Sequence, residues 1–199
     1  MKINKWYKKI GSYLFLCGIL LVIIGTSYAF YQETYYTNSI NFSGASVSIA
    51  FDSLNSSDNS VLLSNSFPMS DIEALTDATY IDFSLIGINT SEYDLVYTLS
   101  LQNGEDVDGY FRFDDSIIKI SLLEDNTKVV DSQLLSSFTN RVIRTNQIDS
   151  STSTQTTIDY RLYLWIDDSV EIGLTGDFTA EEFSQRYCNF KIVLDGYMD

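Results

Sequence analysis

The chain has 199 residues, no histidine, a single proline and a formal net charge of −15. So acidic a surface repels nucleic acid and anionic lipid headgroups, which excludes nucleic acid as an expected partner. The lack of histidine removes the commonest zinc ligand and the usual general base of serine and cysteine hydrolases. No catalytic residue, cofactor or metal ligand is assigned on this basis, and the chain is not expected to be an enzyme.

The N-terminus carries the strongest signal. Lys2, Lys5, Lys8 and Lys9 precede an uncharged run from Ile10 to Phe30, and the first acidic residue is Glu33. As a helix this run would measure about 31 Å, close to the hydrocarbon thickness of a bilayer. Positive charge stays on the cytoplasmic side, so the lysines set a topology in which everything after the run is exported. Residues 1–31 are thus expected to be a signal peptide or membrane anchor, and residues 32–199 an extracellular domain.

Two fates of the run stay open. Leu14 to Ile24 has the length of a signal-peptide core, and Ser27 and Ala29 are small residues at the two positions a signal peptidase reads, which points to cleavage after Ala29. The uncharged run is also long enough to be kept as an anchor. The expected partners are therefore the membrane, through Ile10–Phe30, and a signal peptidase. The expected location is extracellular or at the cell surface.

Removing 29 residues leaves 170, enough for one domain with its own core. Of the 12 basic residues, those four lysines drop out, leaving 8 against 27 acidic ones, a net of −19. Cys188 is the only cysteine outside the apolar run, so the body can form no internal disulfide and its thiol reads as a core side chain.

Period-two alternation then predicts strands along most of the body. Thr34 to Phe42 places Tyr36, Ile40 and Phe42 on one parity, and after Gly44 come Val47, Ile49 and Phe51. Ser70 followed by Glu73 predicts a capped short helix. Thr79 to Ile88 and Glu92 to Gln102 both alternate, the second with Tyr93, Leu95, Tyr97, Leu99 and Leu101 on one face, and the turn residues between them predict a hairpin. Ile117 to Leu123 and Lys128 to Val130 flank a turn and predict another hairpin.

Arg141 to Ile148 and Thr156 to Ile166 are further strands, the latter with Ile158, Tyr160, Leu162, Leu164 and Ile166 on one face. Tyr163 and Trp165 share its other face, where they would serve as a sugar platform or pack beneath a helix. Thr179 caps a predicted helix from Ala180, and Cys188 to Leu194 is the last strand. Such a pattern, without β-α-β alternation, predicts an all-β fold: an antiparallel two-sheet sandwich, jelly-roll-like or immunoglobulin-like, with two short helices and one hydrophobic helix before it. The acidic pairs Asp106/Asp108 and Asp167/Asp168 offer oxygen ligands for calcium, but neither completes an EF-hand loop.

The junction Gly25-Thr26-Ser27-Tyr28-Ala29-Phe30-Tyr31, after Lys8-Lys9 and the apolar run, resembles the export signal of the TasA/camelysin family. These are Gram-positive surface and biofilm-matrix proteins processed by a SipW-type signal peptidase. A late strand of the kind Tyr160–Ile166 adds to the resemblance. Family members usually continue with Ser/Asn-Asp where this chain has Gln32-Glu33-Thr34. The resemblance implies a jelly-roll body and a structural, fibre-forming role. The alternating Tyr36, Ile40 and Phe42 at the free end of the exported body either fold back as an edge strand of their own sandwich, the ordinary outcome, or serve as a donor strand to a neighbouring copy, and the resemblance favours self-assembly by such donor-strand exchange. The peptidase activity attributed to camelysin-type members finds no support, because no H-E-x-x-H motif occurs. A membrane-anchored surface module that binds a glycan or protein is the other reading.

Overall fold

Strands whose residues alternate between apolar and polar must bury one face, and here two sheets close their apolar faces on each other. A computed structural model describes residues 39–51, 60–64, 66–173 and 176–199. The expected N-terminal helix lies outside the described residues. Among those residues, no helix is long and apolar enough to cross a membrane.

The first sheet has seven strands. In spatial order they are β1 (Ser39–Phe42), β2 (Ala45–Phe51), β5 (Thr79–Asn89), β11 (Thr152–Asp167), β8 (Ile118–Glu124) and β9 (Thr127–Leu134), with β4 (Pro68–Met69) beside the end of β11. The second has five, in the order β10 (Val142–Ile148), β6 (Leu95–Asn103), β12 (Arg186–Met198) and β3 (Ser60–Ser64), with β7 (Phe111–Arg112) beside β12. All ladders are antiparallel except the two-residue pairings of β4 and β7. The protein is an antiparallel two-sheet β-sandwich, with two short α-helices among the described residues, α1 (Asp71–Asp77) and α2 (Ala180–Ser184).

The helices begin where the sequence signals them. Ser70 Oγ accepts from Glu73 N–H at 3.4 Å while Glu73 Oε2 accepts from Ser70 N–H at 3.0 Å. Thr179 and Glu182 repeat the arrangement at 3.2 and 2.9 Å. Each pair satisfies amides that a helix N-terminus leaves free. The β8–β9 hairpin also forms, with Asp125 and Asn126 at φ 48° and 62° in its two-residue turn. Positive φ at both positions gives the turn the twist that paired strands need.

The other predicted hairpin does not form. β5 belongs to the first sheet and β6 to the second, so the two face each other across the core instead of pairing at their edges. Asn89 turns the chain between them. Its side chain donates to the carbonyls of Tyr93 (2.8 Å) and Ile148 (2.9 Å) and accepts from the Ser91 amide and hydroxyl. A fully buried amide with all its groups satisfied fixes a corner that a plain turn would not.

Two strands outrun their expected limits. β11 reaches back to Thr152 through a run rich in threonine, and β12 runs on to Met198. The apolar faces of β5, β6, β8, β11 and β12 supply most of the core, including Phe83, Leu85, Tyr97, Leu99, Leu162 and Phe190. β11 is buried on both faces at its end. Its outward Tyr163 and Trp165 lie under α1 and its C-cap, which cover them with the small residues Ala74 and Ala78.

Candidate functional site

Of the predicted donor residues, Ile40 and Phe42 are described. They lie on β1, partly buried and packed against the main core. β1 pairs with β2 through a tight turn in which Gly44 has φ +84°, a conformation that favours glycine. Thus the described end of the predicted 34–42 strand folds back as the edge of its own sheet. Tyr36, Ser27, Ala29, Lys2, Lys5, Lys8, Lys9 and the Ile10–Phe30 run lie outside the described residues.

β1 also reaches the other sheet. β3 pairs with β12 only over Tyr187–Lys191, and beyond this, among the described strands, β12 has a ladder with β6 alone. Ile40 occupies that opening: its Cδ1 lies 3.1 Å from where a Cβ on Gly196 would stand. A four-residue edge strand thereby closes a seam between the sheets.

A shallow groove of about 450 Å³ crosses the outer face of the first sheet. Asp82 and Ser84 from β5, Asp159 and Arg161 from β11, and Asp125 and Asn126 from the β8–β9 turn line it. Arg161 is clamped by Asp82 in a two-pronged contact, Nε–Oδ1 2.6 Å and Nη2–Oδ2 2.7 Å, with its guanidinium 4.6 Å above the Tyr80 ring. Ser84 donates to Asp159 Oδ1 at 2.6 Å.

Trp165 and Tyr163 form no exposed platform. Trp165 is fully buried and Tyr163 is 8% exposed, so that face serves the core. The indole N–H of Trp165 has no hydrogen-bond partner among the described residues.

One member of each acidic pair that offered calcium ligands is engaged elsewhere. Asp106 accepts from Arg112 at 2.8 Å and from the Tyr187 hydroxyl at 3.2 Å, and these contacts hold its pKa below the usual carboxylate value. Asp167 faces Lys119 Nζ at 2.7 Å, and the same ammonium touches Asp71 at 2.9 Å. Burial pushes the Asp167 pKa up, but Lys119 and the Ser169 amide outweigh it and hold the value at about 2. No group of three potential metal ligands occurs among the described residues.

Between the sheets lies a polar chain that the sequence reading missed. Tyr97 and Tyr160 meet hydroxyl to hydroxyl, Tyr160 donates to Glu124, and Glu124 also takes Arg144 Nε at 2.7 Å and Asn146 Nδ2 at 3.2 Å. Both tyrosines follow the apolar parity of their strands, so their hydroxyls left no mark in the alternation. Cys188 is buried 4.0 Å from the Phe113 carbonyl, and burial pushes its thiol up to about 12. Such a thiol stays protonated and is a poor nucleophile.

No family model matches the chain, and no curated protein matches it. Among solved structures, a GH31 alpha-xylosidase from Xanthomonas citri is similar over 78% of this chain at 8% identity, with a TM-score of 0.22. The chain spans 20% of that enzyme's length. A likeness at that level carries no argument about fold or activity.

Proposed function

We propose that the chain is an exported cell-surface or extracellular-matrix structural protein whose copies join by exchanging the N-terminal strand. The observation that carries this reading is β1 itself. It is four residues long, sits at the sheet edge, and fills a seam at Gly196 with one side chain. A short edge strand held by one ladder is the element a second copy replaces most easily, because the main-chain bonds lost and regained are the same. Exchange of this kind runs head to tail and does not close, so it yields filaments. Export of residues 32–199, guided by Lys2, Lys5, Lys8 and Lys9, places the body where such filaments form. Cleavage after Ala29 would free the strand from its membrane tether.

The test compares residues 30–199 with a chain starting at Ser43. The longer form is expected to make concentration-dependent fibres and the shorter form to stay monomeric. Fibres from the shorter form at the same concentration would end the strand-exchange reading.

The groove over β5 and β11 favours a second reading, a membrane-anchored surface module that binds a glycan or protein. N-terminal sequencing separates the two. A chain that keeps Ile10–Phe30 and remains monomeric supports the second reading.

A further inference from the structure

Lys119, Asp167 and Asp71 come from three separate elements and converge on one partly buried point. Lys119 stands on the outer face of β8 directly opposite Trp165. Asp167 is its diagonal neighbour at the end of β11, and Asp71 opens α1, the helix that covers Trp165. The Lys119 side chain is 18% exposed, that of Asp167 10% and that of Asp71 45%. The two oxygens of Asp167 are set apart in role: Oδ2 faces the amine at 2.7 Å, while Oδ1 accepts the Ser169 backbone N–H at 2.8 Å.

We propose that this is a modification site, where Lys119 Nζ and Asp167 Cγ condense into an intramolecular isopeptide bond with Asp71 as the proton carrier. The starting pair is ionised, so the first step moves a proton from the ammonium to Asp167 Oδ2 along their contact. Burial penalises both charges, but the short contact outweighs it and favours the charged forms, so this transfer is uphill and contributes to the barrier. The free amine then attacks Cγ. Negative charge develops on Oδ1, where the Ser169 N–H already points, an arrangement that stabilises a tetrahedral intermediate. Asp71 takes a proton from the attacking nitrogen and passes it to the hydroxyl on Cγ, the C–Oδ2 bond breaks, and water leaves. Asp71 ends as the carboxylate it began as, the charge is conserved, and no oxidant or external reagent is consumed. A reaction that happens once per chain tolerates a barrier that a turnover enzyme could not.

The link would join the central strands β8 and β11 of the first sheet. In a body whose one cysteine is buried and free, it would supply the covalent tie that no disulfide can. The inference does not depend on how copies assemble.

The experiment is intact-mass spectrometry of the purified full chain under denaturing conditions, with peptide mapping. The expected mass is one water below that of the sequence after allowing for N-terminal processing, with a branched peptide joining the segments of Lys119 and Asp167. Lys119→Arg keeps the charge and cannot condense, so it should restore the full mass, as should Asp167→Ala; Asp71→Ala should leave the chains mostly unlinked. A full mass for the unaltered chain overturns the proposal, and this outcome needs no variant to fold. A water loss that persists in Lys119→Arg also overturns it, since Asp108-Gly109 and Asp195-Gly196 can lose water on their own as cyclic imides.

Discussion

The hydroxyls of Tyr97 and Tyr160 meet 3.0 Å apart between the two sheets, and Tyr160 donates a hydrogen bond to Glu124 at 3.1 Å. Tyr97 belongs to the second sheet and Tyr160 to the first, so this contact ties the layers with a directional bond inside an apolar core. Burial raises the pKa of both hydroxyls, which keeps them protonated and able to donate. Tyr160→Phe strips Tyr97 of its partner and Glu124 of a donor, and should cost about 1–3 kcal/mol. Adding Tyr97→Phe should restore part of that loss, because the stranded hydroxyl is then gone as well. Urea unfolding of the two single variants and the double variant measures this. Strictly additive losses would show that the two hydroxyls do not act as a unit.

Cys188 gives a pH prediction. Its folded value near 12 lies above the ordinary thiol value, so folding favours the protonated form. The stability this contributes is fully present below about pH 8.5 and is lost as pH rises towards the folded value. In residues 30–199, which lack Cys17, a thiol reagent at pH 8 is expected to leave the native protein unlabelled and to label it fully in denaturant. Fast native labelling would place Cys188 outside the core.

Sequence periodicity made the faces of the strands legible but not their neighbours. Ile81, Phe83 and Leu85 on β5 and Leu95, Tyr97, Leu99 and Leu101 on β6 all point inward, as their alternation requires. That alternation reads the same whether two strands pair edge to edge or face each other across a core. The choice rested on Asn89, whose buried amide network joins residues up to 59 positions apart. The capping residues Ser70 and Thr179 were legible because a cap is a local device. Lys119, Asp71 and Asp167 were not. Each is an ordinary charged residue in its own segment, and only the packing of α1 over β11 assembles them. The burial of Trp165 has the same cause, since a strand covered on both faces loses its polar parity.

The cover over Trp165 yields a graded prediction. Trp165→Ala empties a fully buried site and should cost about 3–5 kcal/mol. Ala74→Leu forces extra volume between α1 and the indole and should cost about 1–3 kcal/mol. Ile72 on the same helix is 85% exposed, so Ile72→Ser should stay within about 0.5 kcal/mol. Denaturant midpoints rank the three. Similar losses for Ile72→Ser and Ala74→Leu would mean that α1 docks by another face.

Gly196 tests the seam that β1 closes. Its backbone needs no special conformation, so the effect of a side chain there is purely one of space. An added Cβ would stand 2.8 Å from the Val96 carbonyl oxygen and 3.1 Å from Ile40 Cδ1. The first contact strains the β6–β12 ladder itself, whereas the second meets the flexible end of Ile40 on a strand that pairs with β2 alone, so β1 gives way there. Gly196→Ala should therefore cost about 1–3 kcal/mol, and amide exchange should quicken across Ser39–Phe42 while the central strand β11 keeps its protection. Ile40→Ala in the same chain removes one of the two clashes, so the pair of changes should cost less than the sum of the single ones. If strand exchange drives assembly, the loosened β1 of Gly196→Ala also makes the acceptor edge available more often. Fibres of residues 30–199 should then appear sooner than from the unaltered sequence at equal concentration. Faster exchange at Ser39–Phe42 with no change in fibre onset would separate the seam from assembly, leaving β1 as a closure of its own sandwich and nothing more.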